Sequence, residues 1–224
     1  MRPANPSFEK NLFGRFFSKS LLRRGTEFLR RPVYSIGKLK DRWYECSHAD
    51  FPLLTPKANS FLADNISRDA IGFEWGSGGS TIWFARRSRQ LISIEHAPDW
   101  FRFISSRLQK MSLNHVDFRL IPLDHEESLP TVPFYEKPPR YVTQISEFPD
   151  RSVDFCMVDG HYRQACIRAA LPKLRQGALL IVDDTHWMPL AEWGVPSDWE
   201  VAMRGRSWLK ETTIWKANHN PVAS

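Results

Sequence analysis

AIGFEWGSGGSTIWFARR, residues 70–87, joins an apolar run of strand length to an amphipathic run of helix length through three glycines and three hydroxyl residues. Gly76 and Gly78 allow a sharp turn and let a ligand approach bare backbone, and Ser80 and Thr81 suit the cap of the following helix. The same turn could also be ligand-free, so its surroundings decide. Outward from it the alternation repeats. Apolar runs at 90–96, 116–122, 153–160 and 178–185 are separated by helix-like segments at 97–113 and 161–177, the latter ending in Gly177. A last strand is expected near 211–217. Strand and helix in alternation predict an α/β, three-layer, Rossmann-like fold with a mostly parallel sheet. The proline-rich stretch 123–150 reads mostly as loop, and no internal repeat is visible.

The chain has 224 residues, enough for one well-buried core, and its net charge is +6. The excess is local: residues 1–42 hold eleven Lys and Arg against three acids, while the remainder holds 20 against 22. We therefore divide the chain into a basic, partly helical extension (1–60) and a main domain (61–224). The extension mixes Phe8, Leu12, Phe13, Phe16 and Phe17 with Lys10, Arg15 and Lys19. Such a stretch fits a solvated helix, an anionic membrane surface or organelle targeting. Its charge by itself supports only non-specific phosphate binding, so a specific nucleic-acid partner is not expected. Three cysteines (Cys46, Cys156, Cys166) without a CxxC pair point to a reducing, cytoplasmic setting. No apolar run reaches membrane-span length.

Ligands of open parallel sheets bind beyond the carboxyl ends of the strands, where the glycine turn is expected. Glu95 ends the second run 19 residues after Gly76, a place from which an acid accepts hydrogen bonds from both ribose hydroxyls of a nucleoside. Glu74 lies inside the turn motif. A carboxylate there repels a pyrophosphate but favours the sulfonium and ammonium of S-adenosylmethionine, which separates this ligand from NAD.

With Glu74, Gly76, Gly78 and Glu95 in these places, the sequence resembles the class I S-adenosylmethionine-dependent methyltransferases over about residues 70–186. The resemblance implies that Glu74, Gly76, Ser77, Gly78 and Ser80 hold the methionine part of the donor. It also implies that Glu95 holds the ribose, with His96 beside the adenine and Asp124 near the adenine amino group.

At the acceptor end, MVDGHYR (157–163) places Asp159 and His161 after the fourth strand, and LIVDDTHW (180–187) places Asp183, Asp184 and His186 after the fifth. Three converging carboxylates repel one another unless a cation joins them, and oxygen ligands suit Mg²⁺, Ca²⁺ or Mn²⁺. The pattern is similar to the cation-dependent O-methyltransferases, with Asp184 where those have Asn. That resemblance implies a metal on Asp159, Asp183 and Asp184, His161 as general base, and a small-molecule or glycan hydroxyl as acceptor. Alternatively, Asp159 binds the donor's amino group, and Asp183 or Asp184 caps a helix. Trp187, Trp193 and Trp199 read either as an aromatic wall for the acceptor or as core. The Asp/Asn-Pro-Pro-aromatic motif of amino-methylating enzymes is missing after the fourth strand, which argues against DNA base methylation. Two rival readings stay open: an NAD-type oxidoreductase, and an inactive donor-binding module whose basic arm docks on membrane or RNA.

Overall fold

The protein is described by a computed structural model covering residues 51–124, 137–207 and 210–219. The chain divides at 44/45 into two units, and all of these residues belong to the second. The basic arm, Cys46 and Trp208 lie outside the described residues, as do residues 125–136 of the proline-rich stretch.

Seven strands form one sheet in the order β3-β2-β1-β4-β5-β7-β6. They are β1 (Ile71–Trp75), β2 (Gln90–Glu95), β3 (Val116–Leu120), β4 (Val153–Val158), β5 (Leu174–Val182), β6 (Glu200–Arg206) and β7 (Glu211–Lys216). The first five run parallel, and β7 inserts antiparallel between β5 and β6. Strand order reverses between β1 and β4, which places the topological switch point at the glycine turn.

The helices are α1 (Pro56–Asn65), α2 (Gly79–Ala85), α3 (Pro98–Lys110), the short α4 (Arg140–Thr143) and α5 (Arg163–Ala170). Pro56 and Pro98 occupy the first turns of α1 and α3, where a missing N–H costs nothing. On one face of the sheet Phe73, Trp75, Ile94 and Val158 pack against Tyr141, Ile167 and Trp193. On the other face Phe155, Met157 and Ile181 meet Ala58, Leu62, Trp83 and Phe84.

Three features depart from the sequence reading. Leu54 and Ala58 belong to the buried core, so the polypeptide enters this domain ahead of residue 61. The helix expected over 161–177 stops at Ala170, because Pro172 cannot continue it, and β5 begins at Leu174. Gly177 (φ +77°) instead lies in β5, within a register shift against β4. Finally, β6 is an edge strand with Glu200, Arg204 and Arg206 along it, a weak apolar pattern that sequence reading passes over. Cys156 and Cys166 are buried, free thiols, and burial pushes the Cys156 thiol well up.

Candidate functional site

The turn between β1 and α2 is built by close backbone approach. Gly76 has φ +92°, and a Cβ there would lie 2.8 Å from Gly160 N and 2.9 Å from Asp159 C. Glycine at 76 thus lets the carboxyl end of β1 rest on that of β4. Gly78 differs: it is extended, and an added Cβ would meet only Ser80 Oγ at 4.0 Å. The open side of the turn is over Gly78, and the Gly78 N–H donates to Thr81 Oγ1 at 3.0 Å.

Glu74 lies beneath this turn. Because strand residues alternate, Phe73 and Trp75 enter one layer and Glu74 the other, under the start of α2. Ser80 donates to its Oε1, and Thr81 and Ser93 donate to its Oε2, each at 2.7 Å. Burial raises its pKa to about 7, opposed by these three hydroxyls and reinforced by Asp159. Glu74 is fully buried and shapes the turn from below, and Ser80 turns its hydroxyl inward with it.

Glu95 reaches the turn from the end of β2. Its Oε2 accepts from Ser77 Oγ at 2.6 Å and Ser77 N at 3.3 Å. Its Oε1 accepts from the His96 and Ala97 amides at 2.8 Å, and His96 Nδ1 stands 3.0 Å away. Burial pushes this carboxyl up, but hydrogen bonds from His96, Ser77 and Ala97 outweigh it and hold the pKa below the usual value. Trp100, a residue sequence reading missed, donates from Nε1 to the Ser77 carbonyl at 2.8 Å and fixes the turn from α3. Asp124 lies after β3, exposed, and accepts from the Arg140 amide at 3.1 Å.

The two ends of the site touch through their histidines. The His96 and His161 rings meet edge to face with centroids 4.3 Å apart. His161 thus stands after β4 beside the Glu95–His96 pair. His186 lies further along, with Nδ1 4.0 Å from Asp184 Oδ1.

Asp159, Asp183 and Asp184 do converge, each offering an oxygen within 4.8 Å of the others. Asp183 is buried and accepts from Thr212 Oγ1 at 2.6 Å; burial, then Asp159 and Asp184, push its pKa up to about 8. Burial also raises Asp159, against the pull of Arg163.

Arg163 was not singled out by sequence, although its i, i+4 relation to Asp159 was a visible signal. Its guanidinium is buried between Asp159 and Asp184, while the positive charge of Lys210 also acts on Asp159 and Asp183. Nη2 lies 3.1 Å from Asp159 Oδ1 and 3.5 Å from Asp184 Oδ2. Nη1 donates to the Asp183 carbonyl at 2.5 Å and Nε to the Gly160 carbonyl at 3.1 Å. The same group stacks 4.3 Å over the Trp187 ring. As a metal centre this donor set fits poorly, because a cationic side chain already bridges two of the three ligands. Of the three tryptophans, Trp193 and Trp199 are core, while Trp187 is 43% exposed at the rim.

A methyltransferase-domain family model matches residues 73–185, about half of the chain. No curated protein matches the sequence. Among solved structures, an rRNA methylase from Streptococcus thermophilus aligns at 12% identity and TM-score 0.55, covering 74% of this chain and 98% of its own. A methyltransferase from Geobacter sulfurreducens aligns at 12% identity and TM-score 0.53, covering 88% and 97%. A Streptococcus mutans protein in complex with SAH aligns at 10% identity and TM-score 0.52, covering 70% and 93%. At these identities the likeness is one of fold.

Proposed function

Starting from the fact that the chain belongs to the methyltransferase-domain family, we propose that it transfers a methyl group from S-adenosylmethionine to a hydroxyl of a small molecule or glycan. The observation that carries this reading is the 4.3 Å contact between the rings of His161 and His96, which puts a candidate base one ring away from the donor-side carboxylate Glu95.

S-adenosylmethionine supplies an electrophilic methyl: its S–CH₃ bond breaks as the O–CH₃ bond forms, the acceptor proton leaves, and neutral S-adenosylhomocysteine remains. The chain's own residues set the geometry. The backbone over Gly78 is open for the methionine part, and Glu95 would exchange its Ser77 contacts for the ribose hydroxyls. His96 and Asp124 flank the space for the adenine. His161 would accept the acceptor's proton, since an imidazole nitrogen is suited to base catalysis. Trp187 offers a partly exposed ring against which an acceptor can lie.

Calorimetric titration with S-adenosylhomocysteine tests the donor, with micromolar binding expected. A folded sample that ignores it, or that prefers NAD, would return the site to the oxidoreductase reading. For the base, His161→Ala should lower kcat on a hydroxyl acceptor by about 10²- to 10⁴-fold with donor affinity kept. Activity within a few-fold of wild type would remove His161 from the chemistry.

A further inference from the structure

We infer that Arg163 is the resident cation of the acceptor end and does there, within the chain, what a divalent ion does for converging carboxylates. This rests on the methyl-transfer reading of the same site. The guanidinium reaches Asp159 Oδ1 at 3.1 Å and Asp184 Oδ2 at 3.5 Å. Its remaining donors bind two backbone carbonyls, Gly160 O on the β4 side and Asp183 O on the β5 side. One buried residue therefore ties both strand ends together, and its stacking on Trp187 extends the tie to the rim.

A divalent ion on these three aspartates needs oxygens at roughly 2.0–2.6 Å and would have to share them with a positive group that cannot lose its charge. The planar fork also does what a spherical ion does not: it fixes direction, because its N–H groups lie in one plane and point outward in set directions. Arg163 is in this sense a positioning residue. It holds the Asp159–Gly160–His161 turn in register with Asp183, Asp184 and Trp187, and transfer then proceeds without added metal.

The test reads metal binding in the absence of donor and acceptor, so its result stands apart from whether methyl transfer is ever observed. Wild-type protein is titrated with Mn²⁺ by calorimetry and with Tb³⁺ by luminescence sensitised through tryptophan. The same is done for Arg163→Met and for Arg163→Met combined with Asp184→Ala. Wild type should bind neither ion at this site up to millimolar concentration. Arg163→Met should gain at least tenfold in Tb³⁺ affinity, and the Asp184→Ala change, which removes a ligand oxygen, should remove the gain. Arg163→Lys, which keeps one positive charge, should stay metal-silent while losing the fork, with kcat falling and KM for the donor unchanged. Wild-type Mn²⁺ binding that Asp184→Ala abolishes would overturn the inference even if Arg163→Met fails to fold. A folded Arg163→Met protein that gains no metal affinity would overturn it as well.

Discussion

Glu74 under the donor turn, which is buried, and Asp159 and Asp184 at the acceptor end, which are partly buried, stand at neighbouring strand ends, yet they are satisfied by opposite means. Glu74 is held by the hydroxyls of Ser80, Thr81 and Ser93. Asp159 and Asp184 are held by a guanidinium. A hydroxyl can donate or accept, so it serves a carboxyl in either protonation state, whereas guanidinium only donates and favours the ionised form. Glu74 can thus change its proton content inside its cage of hydroxyls, whereas the guanidinium beside Asp159 and Asp184 keeps its charge. The difference suits their tasks: one shapes a turn for a cationic ligand, the other aligns groups around a reacting oxygen.

The largest effect is expected where the two regions meet, at Gly76. Gly76→Ala places a methyl 2.8 Å from Gly160 N at a φ of +92°. Backbone strain and overpacking together should cost about 3 kcal/mol, read as a shift in urea midpoint. Gly78→Ala, with open space around it, should stay within about 1 kcal/mol of wild type while weakening S-adenosylhomocysteine binding. Equal stability losses at 76 and 78 would show that the two glycines do not divide the work in this way.

The proton content of Glu74 sharpens the contrast further. Its folded pKa of about 7 lies above the ordinary 4.5, so the folded chain binds that proton more tightly than the unfolded one. The contribution is fully present below pH 4.5 and is lost as pH rises through 7, roughly 3 kcal/mol in all. Glu74→Gln should flatten this part of the stability profile between pH 4.5 and 7. Asp183, raised to about 8, acts with the same sign and should keep a residual slope in that variant. An unchanged profile after Glu74→Gln would mean that Glu74 is already ionised in the folded state.

A further expected effect concerns binding. Glu95→Ala should weaken S-adenosylhomocysteine by about 1–3 kcal/mol, the cost of leaving hydrogen-bonding groups unmatched, measured calorimetrically. An unchanged affinity would limit Glu95 to bracing Ser77 and the start of α3.

Much of the frame was legible because local periodicity sets it. Five parallel strands, the glycine turn and the acid ending β2 follow from alternation and turn chemistry, and so does the placing of Asp159, Asp183 and Asp184 at strand ends. The edge strand β6 was not legible, since an edge needs no continuous apolar signal. Nor was the fate of the tryptophans, because Trp187, Trp193 and Trp199 have similar local sequence and differ only in what folds over them.

What the sequence by itself determined is the order of elements and which chemical groups stand at the strand ends, since both depend on short-range pattern. What only the tertiary structure decided is which way those groups face and what neutralises them. Glu74 turned inward because the strand's two-residue alternation aims it under α2, and hydroxyls from α2 and β2 surround it there. Asp159 and Asp184 acquired Arg163 as their ion-pair partner because α5 starts where β4 and β5 end, bringing one guanidinium within reach of groups up to 21 residues away in the chain.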